Sequence, residues 1–120
     1  MTLRALCLSI ALILPAPSMA QDVVVGTGAV LRGLDKLNGT SVDMDLASGE
    51  SAQLGKLTVI LRECRYPAGN ASGDAFAFMS IEEANGNGPI FEGWMIASSP
   101  ALNAMEHPRY DVWVLRCKTE

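Results

Sequence analysis

Long apolar runs, basic clusters and histidine are what this 120-residue chain has least of. Beyond residue 20 no stretch approaches the roughly 20 apolar residues that cross a bilayer as a helix. Nine Lys and Arg stand against 13 Asp and Glu, a formal charge of −4. The basic residues are dispersed, which argues against nucleic acid and anionic lipid as partners. His107 is the single histidine and there are three cysteines, with no C-x-x-C pair. Without a C-x-x-C pair or clustered histidines, the ligand spacing of an ordinary zinc site is missing. The G-x-S-x-G turn that strains and exposes a hydrolase serine is also missing. Repeats, heptads and low-complexity tracts are absent. At 49% hydrophobic residues the chain is nevertheless too apolar to stay disordered. One small, mildly acidic domain remains.

The first twenty residues carry a disproportionate share of that hydrophobicity. Arg4 gives a positive start, Ala5 to Leu14 an apolar run, and Pro15-Ala16-Pro17 a break. Ser18-Met19-Ala20 then places small residues before Gln21, the pattern of a cleavable secretory signal. A run of ten residues spans roughly 15 Å as helix, about half a bilayer core, so an anchor is the weaker reading. Cys7 lies inside the run rather than after it, which sets a lipoprotein aside. The expected organisation is a signal peptide at 1–20, an N-terminal arm at 21–27 and one β domain at 28–118, exported to the periplasm. Cys64 and Cys117 are then the cysteines of the exported chain. An even pair in that compartment reads as a structural disulfide. Half a zinc site and a redox pair are the weaker alternatives.

Period-two alternation dominates the rest, and it predicts an all-β fold. Val42, Met44 and Leu46 alternate with Asp43 and Asp45, and Asn38-Gly39 precedes them. This predicts a hairpin over 28–46 with a tight Asn-Gly turn and a bulge at Gly33. Strands follow at Lys56–Cys64, Ala75–Glu82, Ile90–Ile96 and Tyr110–Cys117, with a loop at 66–74. By strict alternation Leu57, Val59 and Leu61 share one face and Cys64 the other. Likewise Val112 and Val114 oppose Trp113, Leu115 and Cys117. A small antiparallel sandwich or barrel of about six strands results. Ser99 as cap and Pro100 at the first turn predict one short helix over 100–106, ended by His107-Pro108.

Chemistry-bearing residues gather between Phe91 and Trp113, where both tryptophans and the histidine lie. Trp94, Met95, Leu102, Met105, His107, Arg109 and Tyr110 read as a partner-binding surface, because Trp, Met, Tyr and Arg are enriched at interface centres. Core packing accounts equally well for several of them. A hydrolase would use Ser98 or Ser99 as nucleophile, His107 as base and Asp111 or Asp74 to orient it. A helix cap explains Ser99 and a turn explains His107-Pro108 more simply. Asp43 and Asp45 are too few ligands for calcium, and no metal or cofactor is expected. Glu63, Glu82, Glu83 and Glu92 are too scattered to suggest a glycosidase pair. Asn38-Gly39-Thr40 and Asn70-Ala71-Ser72 match the glycosylation triplet, a pattern common by chance.

The segment Phe91-Glu92-Gly93-Trp94-Met95-Ile96-Ala97-Ser98-Ser99-Pro100-Ala101-Leu102 precedes His107-Pro108-Arg109-Tyr110-Asp111-Val112-Trp113-Val114-Leu115-Arg116-Cys117. Together they resemble the C-terminal signature of a family of small exported alphaproteobacterial proteins, a domain of unknown function. Gly33-Leu34-Asp35-Lys36-Leu37-Asn38-Gly39, Leu61-Arg62-Glu63-Cys64-Arg65-Tyr66-Pro67 and Ala75-Phe76-Ala77-Phe78 resemble its earlier blocks. The resemblance implies export and a pair at Cys64 and Cys117, and it brings no activity or cofactor. It also brings a genomic association with an accessory subunit of respiratory complex I. The expected function is a non-catalytic periplasmic accessory or binding protein, docking onto an envelope or inner-membrane complex through residues 91–113. The alternatives are the small hydrolase and an inhibitor or ligand-binding module that inserts the 66–74 loop.

Overall fold

The structure is a computed structural model and describes residues 11–13 and 22–119. The expected signal-peptide cleavage site and most of the leader lie outside the described residues. Eight strands follow one another: β1 Val23–Val25, β2 Gly28–Asp35, β3 Thr40–Ala47, β4 Ser51–Leu54, β5 Leu57–Pro67, β6 Phe76–Glu83, β7 Pro89–Ile96 and β8 Tyr110–Lys118. All pairings are antiparallel. One sheet runs β3-β2-β8. The other runs β1-β5-β6-β7, with β4 also paired to β5. The all-β expectation holds, with eight strands in two sheets.

One core lies between the sheets. Leu57, Val59 and Leu61 of β5 meet Ala77, Met79 and Ile81 of β6 and Met95 of β7. Ala29 and Leu31 of β2, Met44 and Leu46 of β3, and Val112 and Val114 of β8 close it from the other side. Burying side chains of this size stabilises by about 1.5–3 kcal/mol each relative to exposure. Cys64 and Cys117 are bonded to each other and stitch β5 to β8 across that core.

The cysteines face inward because strict alternation fails in both strands. On β5 the register slips between Leu61 and Glu63, so Arg62 is an extra residue. On β8 Val30 pairs with Arg116 while Leu31 pairs with Val114, which leaves Leu115 extra. An extra residue in one strand inverts the face of everything beyond it. Cys64 therefore joins Leu61, and Cys117 joins Val114, on the core side. Gly33, where a bulge was expected, pairs regularly with Val42 and Val112. Its missing Cβ makes room for the Leu54 methyls, about 3 Å from where a Cβ would stand.

Three further expectations change. The β2–β3 connection is a four-residue turn, Lys36 to Gly39, closed by the Gly39 N–H donating to the Asp35 carbonyl at 2.8 Å. Gly39 has φ +73° while Asn38 has no positive φ, so the two-residue Asn-Gly turn is not the one used. Residues 21–27 are not only an arm, since Val23–Val25 pair with Arg65–Pro67. Residues 100–106 form no helix. A single turn, the Leu102 N–H donating to the Ser99 carbonyl at 3.0 Å, is all that remains. Six residues scarcely offset helix nucleation, and here tertiary anchors hold the segment as irregular chain with bends at 102–103 and 108–109. Asn103 donates to the Trp94 carbonyl on the edge of β7 at 2.7 Å, and Met105 is buried in the core.

Candidate functional site

The polar run at 106–111 is an anchor for the long β7–β8 connection. Asp35, buried at the end of β2, accepts from Arg109 Nη2 at 2.9 Å and Nε at 3.2 Å, and from the Leu37 N–H at 3.0 Å. The Arg109 hydrogen bonds hold the Asp35 carboxyl below the usual carboxylate range, against the opposing effect of burial. Lys36 Nζ donates to the His107 carbonyl at 2.7 Å. His107 Nδ1 accepts from the backbone N–H groups of Arg109 at 3.0 Å and Tyr110 at 3.1 Å. The ring hydrogen therefore sits on Nε2, which faces Glu83 Oε1 at 3.4 Å. Tyr110 is buried with its ring 5.3 Å from His107 and its hydroxyl against Gly55.

Ser98 is occupied elsewhere. Its hydroxyl donates to Asp74 Oδ2 at 2.6 Å, while the N–H groups of Ser98 and Ala75 donate to Oδ1 at 2.9 Å. Burial raises the Asp74 carboxyl, but these three donors together outweigh it and leave it below its ordinary value. Among the described residues no hydrogen bond joins Ser98 or Ser99 to His107. Asp111 accepts from the Val112 N–H at 3.0 Å. The residues named for a hydrolase thus fall into separate clusters, and the His107 lone pair is already committed to backbone.

The residues expected at a partner surface also divide. Met95, Met105 and Tyr110 are core members and supply no surface, since the strand phase and the irregular 103–109 segment turn them inward. His107 and Arg109 belong to the Asp35 anchor. Leu102 stands 72% exposed. A groove of about 380 Å³ runs between Pro100, Ala101 and Ala104 and the β8 residues Asp111 and Trp113. Trp94 alone of the set lies on a sheet surface with apolar neighbours.

That surface is the outer face of the larger sheet. Val23, Phe76, Trp94 and Ile96 bound a shallow depression of about 350 Å³ with Arg65. Val25, Ser48, Phe78 and Trp94 bound a second of about 490 Å³ with Arg62 and Glu63. The Phe78 and Trp94 ring centroids are 5.2 Å apart, within the range of a favourable tilted pair. The Arg65 guanidinium lies 5.0 Å from the Trp94 ring centroid and pairs with Glu63 at 2.9 Å. Val25 is 58% exposed. Sequence reasoning found Trp94 but missed Phe76, Phe78, Val23 and Val25 as its companions. The signal was there in the apolar residues on both phases of 75–81.

The outer face of the smaller sheet mixes ion pairs with apolar groups, Trp113 of β8 standing opposite Arg32 with Leu34 on the same side. Arg32 donates to Asp43 through Nε at 2.7 Å and Nη2 at 3.1 Å, and Lys118 pairs with Asp45. Asp43 and Asp45 are the wet side of β3, as the alternation predicts. Among the described residues no cluster of three or more His, Cys, Asp or Glu could hold a metal ion. Among them, too, no helix is long and apolar enough to cross a membrane.

Comparison with known proteins extends these observations. Residues 29–117 match the family described as "Uncharacterized protein conserved in bacteria (DUF2155)". An uncharacterized protein of Rickettsia prowazekii (strain Madrid E), RP359, is 30% identical over 94 residues. The alignment covers 76% of this chain and 61% of that relative, so the chain spans less than two thirds of its length. No solved structure matches. With the family match running from β2 to the disulfide cysteine of β8, the chain belongs to this bacterial DUF2155 family.

Proposed function

We propose that this chain is a non-catalytic periplasmic accessory protein, exported by a leader at 1–20, that docks onto an envelope or inner-membrane complex. The docking surface is the outer face of the larger sheet, centred on Trp94, a narrower and differently bounded patch than the 91–113 segment as a whole. The observation that carries this is the contiguous apolar row on the outer face of the larger sheet. The outer face of the smaller sheet interrupts its one tryptophan, Trp113, with ion pairs, Arg32–Asp43 and Lys118–Asp45. The other sets Phe76, Phe78, Trp94 and Ile96 side by side, flanked by exposed Val23 and Val25. Contiguous apolar patches on a small domain mark interaction sites, and a half-buried Trp with an Arg beside it has the composition of an interface centre.

The test is site-specific photo-crosslinking in native envelopes. A benzophenone side chain at Val25 is expected to give a discrete protein adduct, and the same group at Asp43 is not. Absence of any adduct from Val25, with export and folding intact, removes the docking reading.

A further inference from the structure

We infer that the Trp94 face receives an acidic, apolar segment of a partner protein, with a carboxylate of that segment held by Arg62. This rests on the reading of the face as a docking surface and names what the surface is built to take.

Arg62 is the extra residue of the β5 bulge. Leu61 before it and Cys64 after it are both buried in the core, so Arg62 and Glu63 project outward together. Bulges commonly re-aim a side chain at a functional surface. Here the bulge sets a guanidinium on the rim of the depression formed by Val25, Ser48, Phe78 and Trp94. Arg32, Arg65 and Arg109 each hold a carboxylate at 2.7 to 2.9 Å. Arg62, like Arg116 on the smaller sheet, has no carboxylate within 4.0 Å among the described residues, and its one side-chain hydrogen bond, to Ser80 Oγ, is long at 3.4 Å.

An unpaired guanidinium fork beside an aromatic wall is complementary to a carboxylate with apolar neighbours. The fork offers paired donors to the two carboxylate oxygens. The depressions on either side of Trp94 take the flanking apolar groups. Arg65 stacks on the same ring and adds a second positive charge, balanced within the chain by Glu63. A peptide segment is favoured over an anionic bilayer. The chain carries a net charge of −4, and Glu63, Glu82 and Glu92 lie in register on the same side of the sheet as Phe78 and Trp94. A flat anionic surface would meet that charge across its whole extent, whereas a single strand of peptide meets Arg62 first.

The experiment pans a phage-displayed library of random decapeptides against the disulfide-intact protein. The expected consensus is Asp or Glu next to Leu, Ile or an aromatic residue. A synthetic peptide of that consensus is expected to bind Arg62→Gln about tenfold more weakly, and Trp94→Ala more weakly still. Its affinity for the parent should fall several-fold between about 50 and about 500 mM salt. Because Arg62 is exposed, Arg62→Gln should unfold at the parent's temperature, which isolates binding from stability. No enrichment, a consensus without an acid, or equal affinity for Arg62→Gln would each overturn the inference. So would co-sedimentation with phosphatidylglycerol vesicles in preference to the peptide. If a crosslinked partner is found from Val25 but Arg62→Gln binds it as well as the parent does, the docking reading stands and this one does not.

Discussion

Opening the Cys64–Cys117 bond should cost this domain a large part of its stability. The two cysteines are 53 residues apart in sequence. Closing a loop of that length removes unfolded-state entropy corresponding to about 4 kcal/mol at 25 °C in the chain-entropy model. A domain of this size is stable by roughly 5–15 kcal/mol, so the crosslink is a sizeable fraction of the whole. The natural assay is urea unfolding of oxidised and reduced protein, followed by tryptophan fluorescence. Trp94 sits on β7 in the larger sheet and Trp113 on β8 in the smaller. Single Trp→Phe variants therefore report each sheet separately. With a urea slope of about 1–1.5 kcal/mol per M, the midpoint should fall by about 3 M on reduction. The double variant Cys64→Ala/Cys117→Ala should track the reduced protein, lower by about 1 kcal/mol for the small voids it leaves. A midpoint shift below about 0.5 M would refute the claim that the crosslink constrains the unfolded chain. Loss of the Trp113 transition alone would show instead that only β8 depends on it.

Two other perturbations test the packing and the anchor. Gly55→Ala places a methyl group on the Tyr110 hydroxyl at a backbone φ of +57°, and should lower stability by about 2 kcal/mol by urea midpoint. An unchanged midpoint would mean that Tyr110 is not held where it is described. The Asp35 carboxyl is held low by its Arg109 hydrogen bonds. Its folded-state value therefore lies below the unfolded one, and its contribution is present above the ordinary carboxylate range and lost as pH falls through the folded value. Urea midpoints measured from about pH 7 to about pH 3 should decline less steeply for Asp35→Asn than for the parent. Superimposable profiles would sink the assignment.

Most strands were legible because alternation survives wherever one face is buried. The shared face of Leu57, Val59 and Leu61, all fully buried, is an example read correctly. Two strands escaped notice for different physical reasons. Val23–Val25 is a three-residue edge strand exposed throughout, and Ser51–Leu54 buries only Leu54 fully, so neither leaves a periodic trace. The cysteine faces were misassigned because alternation was carried through positions where an extra residue resets it. A clue was present. Leu61 to Cys64 and Val114 to Cys117 are both three-residue steps, odd spacings between residues that must share a face. The helix over 100–106 had favourable local chemistry, but the chain there is held instead by Asn103 on the Trp94 carbonyl and by the burial of Met105. As for the site, Trp94 was visible, whereas its neighbours come from strands brought together only by the β5–β6–β7 pairing.

The position of β8 has a consequence for the time course of folding. Its partners on β2 lie 75 to 90 residues earlier in the chain. The β2–β3 hairpin can form locally, but its second edge stays open until β8 arrives. Pairings this distant must overcome loop-closure entropy before they return anything, which places the domain among slow, non-local folders. Until then Cys64 is an unpaired thiol and β2 an uncovered edge, a template for association with other chains. A chain cut short before Tyr110 would never leave that state, so covalent closure reports that the whole domain has been delivered.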